Sequence, residues 1–464
     1  MSKYIVVNPA TGDTGFNPAA TSDTELSEYL ESADATHRTW SRSTSIGERS
    51  ALLQRVADLH VERREVLAEI IVREMGKPVE QALGEVDFSA AIYSYYADNG
   101  ELFLADEQIA LLDGEGSALI RRSSIGTLLG IMPWNFPYYQ VVRVAGPQLL
   151  AGNTILLKHA SNVPQAAAAF DDLFARAGLP AGAFKNLYLP HDLTEYVIDD
   201  PRVRGVALTG SEEAGAIIAA YAAKAVKKST LELGGSDAFV VLKDADMDKT
   251  VEWAVFGRHW NAGQVCVSAK RLIVVDEVFD EFMEKYRNGV KALRMGDPMD
   301  PTTTLAPLSS QGAADKLAGQ VKEAIAGGAK AETLGEKAPS TGAFFQPTIL
   351  TGMTSKNPSY YEEFFGPVSI IIRAKDEAEA IAVANDSPFG LGGSVFTKDT
   401  VRGEKVARQI DTGMVYVNHP TMVKADIPFG GVKHSGYGHE LTNLGIQEFI
   451  NKKVIDVVDI NAAF

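Results

Sequence analysis

The chain has 464 residues, of which 45% are hydrophobic and 22% charged, so it is long enough for more than one globular domain with a sizeable core. Its formal net charge of −16 argues against a nucleic-acid groove or an anionic membrane surface as partner, because clustered Lys and Arg bind both. The N-terminus lacks an apolar segment of signal-peptide length, and no long apolar run follows it. We therefore expect a cytoplasmic protein with no nucleic-acid or membrane partner.

The N-terminal part of the chain is predicted to be helical. Residues 23–99 carry apolar side chains at helical spacing, and Ser45 is a candidate N-cap. The apolar stripe that follows this cap comprises Leu52, Leu53, Val56 and Leu59. Packing of a hydrophobic core explains such a stripe without a functional role.

Residues 107–126 are predicted to form a β-hairpin. Short alternating runs flank the Gly-containing turn 113–116, a pattern that is typical of two antiparallel strands. The run 453–460 also alternates, like a strand that pairs with a sheet in another subunit or domain. Because unpaired strand edges require a partner, the two segments predict a homodimer or a homotetramer.

Short apolar runs at 126–132, 154–157 and 203–209 predict buried parallel strands with helices between them, and hence a doubly wound sheet. Ligands of such sheets bind beyond the carboxyl ends of the strands. Lys158 stands at one of these ends, and Gly210-Ser211 opens a helix at another, where N–H groups suit a pyrophosphate. Each signal is weak alone, because a Lys after a strand is usually solvated and Gly-Ser is often a plain cap. No Gly-x-Gly-x-x-Gly motif follows a strand.

Three residues have the chemistry of a catalytic site. Cys266 is the only cysteine, so it forms no intrachain disulfide, and its thiolate would be a nucleophile. Glu232 lies between two leucines, and apolar neighbours raise a carboxyl pKa toward that of a general base. Asn135 lies between Pro133 and Pro137 and offers an amide donor to an oxyanion. The structural alternatives are a buried small hydrophobe for Cys266 and a solvated helix-end carboxylate for Glu232.

The motifs Trp-Asn-Phe-Pro at 134–137, Glu-Leu-Gly-Gly at 232–235 and Gly-Gln-Val-Cys at 263–266 resemble those of the aldehyde dehydrogenase superfamily, in the same order. The resemblance extends from about residue 5 to the C-terminus. Further similar pieces are Leu208–Ser211, Glu362–Pro367, Ala384–Asp386, Phe389–Leu391, Pro428–Gly431 and Lys433–Gly436.

The resemblance implies an α/β fold of the aldehyde dehydrogenase type. Further apolar runs at 238–242, 270–275 and 368–372 predict strands of a second α/β domain. The expected parts are a doubly wound dinucleotide-binding domain, an α/β catalytic domain, and a β-arm for oligomerisation with the C-terminal strand. They comprise residues 1–106 with 126–234, residues 235–435, and residues 107–125 with 436–464, respectively.

The resemblance also implies oxidation of an aldehyde to an acid. The Cys266 thiolate adds to the carbonyl, and the Asn135 amide and the Cys266 N–H stabilise the oxyanion. After hydride transfer to a nicotinamide, Glu232 activates the water that hydrolyses the thioester, with His259 and His419 as alternative bases. No metal is expected. The implied cofactor-binding residues are Trp134, Lys158, Ser161, Gly210, Ser211, Leu233, Glu363 and Phe365.

Ser161 bears on the choice of cofactor. Members of the family that are strict for NAD commonly carry Glu at this position, three residues after the Lys, where the carboxylate repels a 2′-phosphate. Ser161 removes that repulsion, and Lys158 and Ser161 can both donate to a phosphate. We expect NADP to be slightly favoured and NAD to be usable.

Arg143 is the basis of the substrate prediction. It lies eight residues after Asn135 on one helix, in a tunnel that Trp260 and Phe429 would line, and it is similar to the Arg that holds the carboxylate in bacterial succinate semialdehyde dehydrogenases. The alternative for Arg143 is an interhelical salt bridge. A second family arginine is replaced here by Trp260, so a further anion contact would come from Arg258, His419 or Lys424.

Three other functions are considered. A broader NAD(P)-dependent aldehyde dehydrogenase would oxidise other short aliphatic or aromatic aldehydes. A CoA-acylating relative would transfer the acyl group to a thiol, but such members generally lack the base, so Glu232 argues against it. A non-catalytic scaffold would not need Cys266, Glu232 and Asn135 together.

Overall fold

A computed structural model describes residues 4–112 and 116–461 of the chain, including its α-helices. In chain order they are α1 (Asp23–Ser43), α2 (Ile46–Glu62), α3 (Arg64–Met75), α4 (Val79–Leu104), α5 (Tyr139–Ala151), α6 (Pro164–Ala177), α7 (Thr194–Asp199), α8 (Glu212–Lys224), α9 (Met247–His259), α10 (Phe279–Lys291), α11 (Gln311–Ala326), α12 (Glu377–Asn385), α13 (Thr400–Ala407) and α14 (Thr442–Ile446).

The strands form two large sheets and two small ones. In chain order they are β1 (Glu107–Ile109), β2 (Ser117–Ser124), β3 (Thr127–Met132), β4 (Thr154–His159), β5 (Phe184–Asn186), β6 (Val203–Thr209), β7 (Lys228–Glu232), β8 (Ala238–Val241), β9 (Arg271–Val275), β10 (Lys330–Thr333), β11 (Thr348–Thr351), β12 (Val368–Ala374), β13 (Phe389–Gly390), β14 (Gly393–Phe396), β15 (Tyr416–Val417), β16 (Val432–Lys433), β17 (Gly436–Tyr437) and β18 (Ile450–Val457).

Ser45 caps α2, as predicted. Its hydroxyl accepts a hydrogen bond from the Glu48 N–H at 3.2 Å, and the Glu48 carboxylate accepts one from the Ser45 N–H at 2.7 Å. This capping box satisfies two N–H groups that the helix itself leaves without partners. The apolar stripe of α2 packs into a core that it shares with α3 to α6.

The first large sheet has the order β17-β7-β6-β3-β4-β5, and its pairs are parallel except β17 with β7. The predicted strands at 126–132, 154–157 and 203–209 are confirmed as its central members. Leu156 packs on the side of α1 and α8, while its two neighbours in β4 pack on the side of α5 and α6. The sheet is therefore buried on both faces, which explains its continuous apolar strands.

The second large sheet has the order β10-β11-β12-β9-β8-β14-β15, with only β10 antiparallel to its neighbour. Its strands β8, β9 and β12 confirm the predicted apolar runs. Phe239 packs with α9 and α10, and the adjacent Val240 packs with α12 and α13. The α/β fold class with two sheets is confirmed.

The hairpin and the C-terminal strand form one three-stranded sheet, β1-β2-β18. Antiparallel pairing of β1 with β2 confirms the hairpin, while residues 113–115 of its predicted turn lie outside the described residues. The C-terminal strand pairs with β2 of the same chain, so the prediction that it pairs with a sheet elsewhere is corrected. The physical reason is that β1 covers one edge of β2 and β18 covers the other.

Residues 436–449 return to the first sheet. Gly436–Tyr437 pairs with the end of β7, and α14 packs against α5. As a result, the loops that follow β3, β6 and β7 and the segment before β17 all meet at the carboxyl edge of that sheet, where ligands of such sheets bind. No helix of the described ranges is long and apolar enough to cross a membrane.

Candidate active site

Asn135 lies in the turn between β3 and α5, and this turn is fastened to the loop that carries Cys266. The buried Asn135 amide donates to the carbonyl oxygen of Gln264 at 3.1 Å. In return, the Asn261 amide donates to the backbone carbonyl of Asn135 at 3.0 Å. The structure thus brings the predicted oxyanion donor within two residues of the nucleophile.

The loop before Cys266 has an unusual backbone. Asn261 and Ala262 both have a φ of 52°, in the left-handed region that non-glycine residues rarely adopt. Gly263 follows with a φ of 76°, and a side chain there would lie 2.5 Å from the Gly366 carbonyl oxygen. The Gln264 side chain accepts from the Ser309 N–H at 2.9 Å and fixes the loop from the opposite side. Close backbone packing therefore explains the Gly-Gln pair.

Two cavities meet at Cys266. The smaller one, of about 230 Å³, is lined mainly by apolar side chains and is named the aromatic cavity for its rings, among them Phe136, Trp260 and Phe429. The larger one, of about 730 Å³, is more polar and opens on the first sheet. It is lined by six of the eight predicted cofactor residues: Trp134, Gly210, Ser211, Leu233, Glu363 and Phe365.

Glu232 ends β7 and is buried, and its carboxylate accepts no hydrogen bond from the described part of the chain. Burial raises the pKa of this carboxyl well above its ordinary value, and the negative charge of Glu440 raises it further. The Arg143 guanidinium opposes both effects. The protonated form of Glu232 is therefore favoured in this arrangement.

Cys266 is also protonated at neutral pH in this arrangement, although it remains partly exposed. Burial raises the pKa of its thiol to about 12, while Arg143 and Lys270 lower it and the carboxylates of Glu363 and Asp237 raise it. A thiol with this pKa is a poor nucleophile. Its reactivity therefore depends on how the surrounding charges change when ligands bind.

The fold and this site are those of a known family. The chain matches the model of the aldehyde dehydrogenase family over residues 1–455. It belongs to that family. The described structure of this aldehyde dehydrogenase superimposes with a TM-score of 0.96 on a succinic semialdehyde dehydrogenase from Streptococcus pyogenes in complex with NADP+, which is 43% identical, with coverage of 98% of this chain and 100% of that one.

Two further relatives bear on cofactor and substrate. A protein of Deinococcus radiodurans named succinate-semialdehyde dehydrogenase [NADP(+)] is 47% identical over 97% of this chain and 94% of its own length. An NAD-dependent aldehyde dehydrogenase from Sinorhizobium meliloti is 31% identical, with a TM-score of 0.95 and coverage of 98% of this chain and 91% of that one. The family therefore includes members named for each dinucleotide.

In this aldehyde dehydrogenase, Arg143 does not line the aromatic cavity, contrary to its predicted place in the tunnel. It is buried behind Tyr139 and Phe429, with its guanidinium carbon 4.7 Å and 4.5 Å from the two ring centroids. Its Nε lies 2.6 Å from the Glu440 carboxylate. Arg143 therefore forms an internal ion pair, as in the alternative considered from the sequence, because a fully buried guanidinium requires an anion.

The other predicted anion and base candidates are held by protein partners or lie outside the linings of the two cavities. The buried Arg258 guanidinium donates to the carbonyl oxygens of Val368 at 2.7 Å and Phe364 at 2.8 Å, so it is not free to bind a substrate. Burial lowers the pKa of His259 to about 3, which keeps it neutral. Neither His259 nor His419 lines either cavity, and Lys424 is exposed.

Lys158 is the penultimate residue of β4 and Ser161 follows that strand, which pairs with β3, the strand that leads to Asn135. Neither lines the larger cavity. Lys158 is buried, and burial, with no charged neighbour in the described ranges to oppose it, lowers its pKa to about 8. A buried ammonium without a counterion is suited to an incoming anion.

Sequence reasoning missed two buried groups that hold the site. Glu85 in α4 accepts from the N–H groups of Tyr138 at 2.9 Å and Tyr139 at 3.2 Å, and it pairs with the buried Lys77. It thereby caps α5 directly after the Asn135 turn. Lys270 donates to the backbone beside Cys266. The apolar run 270–275 places Lys270 at the start of a strand and indicates no role for its side chain. No local pattern links Glu85 to a turn 50 residues away.

Proposed function

We propose that the chain oxidises succinate semialdehyde to succinate with NADP or NAD as electron acceptor, and that NADP is slightly favoured. The observation that carries this proposal is the position of Cys266, between an aromatic cavity of the size of a small aldehyde and a polar cavity of the size of a dinucleotide. The names of the relatives, which specify succinate semialdehyde and NADP(+), support it.

The larger cavity has the features that a dinucleotide needs. The N-terminus of α8 follows Gly210 and Ser211, and its N–H groups and positive helix dipole favour a pyrophosphate. Trp134 and Phe365 meet edge to face, with ring centroids 5.8 Å apart, and give an apolar wall near Cys266. When bound, the nicotinamide dinucleotide accepts the hydride of the aldehyde carbon. Lys158 and Ser161 are proposed as donors to its adenosine ribose or 2′-phosphate.

Cys266 and Asn135 carry the first step. The Cys266 thiol first loses its proton to solvent, the thiolate adds to the aldehyde carbon, and the resulting oxyanion is stabilised by the Asn135 amide and the Cys266 N–H. In the described structure the Asn135 amide donates to the carbonyl oxygen of Gln264. Exchanging that hydrogen bond for one to an oxyanion costs little, because a charged acceptor forms the stronger bond.

Glu232 carries the second step, hydrolysis of the thioester on Cys266. In the described structure neither of its carboxylate oxygens has a hydrogen-bond donor, so both are available to a water molecule. Once deprotonated, the carboxylate removes a proton from that water while the water attacks the acyl carbon. A general base is what separates this reaction from acyl transfer to CoA.

Trp260, Phe429 and Arg143 are proposed to select the substrate. The two rings line the aromatic cavity, and Arg143 supplies positive charge to the substrate carboxylate from behind the ring of Phe429. Because the lining itself is mostly apolar, a second candidate function is a broader NAD(P)-dependent oxidation of short aliphatic or aromatic aldehydes.

Absorbance at about 340 nm, where reduced nicotinamide absorbs, tests the proposal. We expect kcat/KM to be highest for succinate semialdehyde with NADP, lower with NAD, and unchanged by added CoA. Equal kcat/KM for butyraldehyde would favour the broader enzyme, and a strong preference for NAD would contradict the cofactor assignment.

We also propose that the chain is a homodimer or a homotetramer, through the outer edges of β1 and β18. Val454 and Val457 of β18 are 62% and 60% exposed, which is unfavourable for an isolated protomer. A mass in solution that shows only monomer at micromolar concentration would contradict the oligomer.

The proposed domains are residues 1–106 with 126–234 for the dinucleotide, residues 235–435 for catalysis, and residues 107–125 with 436–464 for the arm and C-terminal strand.

A further inference from the structure

Lys270 is fully buried four residues after Cys266, and its ammonium group has three hydrogen-bond partners. It donates to the carbonyl oxygens of Val265 at 2.8 Å and Cys266 at 2.7 Å, and it lies 3.0 Å from Oε1 of Glu363. An ammonium has three N–H donors, so none is left over. The lysine thus joins the backbone of the nucleophile to a single carboxylate.

Glu363 is the part of this network that faces a ligand. Its side chain is 20% exposed and lines the larger cavity. The same Oε1 accepts from the Gly235 N–H at 3.1 Å, and a side chain at Gly234 would collide with Oε2. Backbone on one side and Lys270 on the other therefore hold the carboxylate at the cavity wall.

We propose that Lys270 is a positioning residue that couples ligand binding at Glu363, in the larger cavity, to the reactivity of the Cys266 thiol. This inference rests on the proposed function, in which Glu363 binds the nicotinamide ribose. When Glu363 shares its negative charge with ribose hydroxyl donors, Lys270 keeps its two carbonyl bonds and its charge is less compensated. The thiolate of Cys266 then gains stabilisation in a site of low dielectric.

The charges around the thiol agree with this direction. Lys270 and Arg143 lower the pKa of Cys266, whereas Glu363 and Asp237 raise it. Asp237 and Arg143 are buried and held by protein partners, Asp237 by Thr421 and Arg143 by Glu440. Among these four charges, only Glu363 both lines the larger cavity and contacts Lys270.

Alkylation of Cys266 tests the proposal without any turnover, because the chain has no other cysteine. The rate of reaction with iodoacetamide is measured against pH, with and without NADP+, and binding of NADP+ is measured separately by calorimetry. In the wild type, NADP+ should lower the pH midpoint of alkylation by about one unit, which corresponds to tenfold more thiolate at a given pH.

Three variants distinguish coupling between Glu363 and Cys266 from structural support of the loop by Lys270. Lys270→Met should still bind NADP+, but its alkylation midpoint should no longer move when NADP+ is added. Lys270→Arg keeps the charge and should recover part of the shift. In Glu363→Gln the midpoint without cofactor should fall below that of the wild type, because the negative charge next to Lys270 is gone.

Glu74→Gln is the matched control, since Glu74 is a buried carboxylate that accepts from the N–H groups of Gln165 and Ala166 and lines neither cavity. Its alkylation profile should equal that of the wild type. A full shift in Lys270→Met, or an unchanged midpoint in Glu363→Gln, overturns the inference. If Lys270→Met does not fold, Glu363→Gln decides alone. Failure of the wild type to bind NADP+ or NAD+ would instead contradict the proposed function.

Discussion

The two cavities that meet at Cys266 differ in where their charged groups lie relative to the cavity wall. On the dinucleotide side, charged groups such as Glu363 stand in the wall and can contact a ligand directly. On the proposed aldehyde side the wall is mostly apolar, and the ion pair of Arg143 with Glu440 lies behind it. A charge behind a wall acts through its electric field on nearby groups, which here include the candidate catalytic residues Glu232 and Cys266.

The largest effect should come from the residue that both cavities share. Cys266→Ala should lower turnover by more than about a thousandfold, because no second thiol can form the covalent intermediate. Calorimetry should show unchanged dinucleotide binding, which confirms that only the chemistry is lost. Turnover above that level would show that the nucleophile lies elsewhere.

Glu232→Gln should separate the two chemical steps. The first turnover should release about one equivalent of reduced cofactor per site, after which the rate should fall by about a hundredfold or more as the thioester accumulates. Rapid-mixing absorbance measures both phases. Glu448→Gln, which removes a nearby paired carboxylate, is the control and should keep normal turnover.

The pH dependence of the same step follows from the raised pKa of Glu232. The protonated acid cannot accept a proton, so the hydrolysis rate should rise as the pH increases through that pKa and level off above it. Single-turnover decay of the thioester against pH measures this. In Glu232→Gln the rise should be absent, and persistence of the rise would assign it to another group.

The Arg143 pair tests whether a charge behind the wall selects the substrate. Removing Arg143 alone leaves Glu440 buried without a counterion, at a cost of about 3–5 kcal/mol, so the double variant Arg143→Leu with Glu440→Leu is preferred. Its KM for succinate semialdehyde should rise about tenfold, equivalent to about 1.4 kcal/mol, while its KM for butyraldehyde changes little. An equal rise for both aldehydes would assign the pair to the fold alone.

Ser161→Glu should give the smallest effect, on the dinucleotide side. The added carboxylate should repel a 2′-phosphate and lower kcat/KM for NADP by about tenfold, with little change for NAD. The ratio of kcat/KM for the two cofactors is the measurement. An unchanged ratio would place the 2′-phosphate away from the end of β4.

Local patterns were sufficient to locate the strands and to indicate candidate catalytic residues, whose roles stay predictions. Apolar runs located β3, β4 and β6 to within two residues, because a strand that is buried on both faces has no polar alternation to obscure it. Cys266, Glu232 and Asn135 each stand in a short motif. The structure joins the turn of Asn135 to the loop of Cys266 by two hydrogen bonds, from Asn135 to Gln264 and from Asn261 to Asn135.

Distant pairs could not be predicted from such patterns. Arg143 finds its counterion at Glu440, nearly 300 positions later, and no periodicity encodes that contact. The partner of the C-terminal strand was predicted wrongly for the same reason, since alternation shows that a strand needs an edge but does not show which one. Lys270 was overlooked because its partners are mostly backbone carbonyls, which every sequence contains.

The placement of Glu440 near the C-terminus has a consequence for synthesis of the protein. Arg143 is translated early and is buried under Tyr139 and Phe429, yet its counterion, the strand β17 and the strand β18 all arrive in the last part of the chain. A nascent or prematurely terminated chain would therefore hold an uncompensated guanidinium beside an unfinished sheet. Completion of translation is thus a condition for a stable catalytic centre, and truncated products should be readily degraded by cellular proteases.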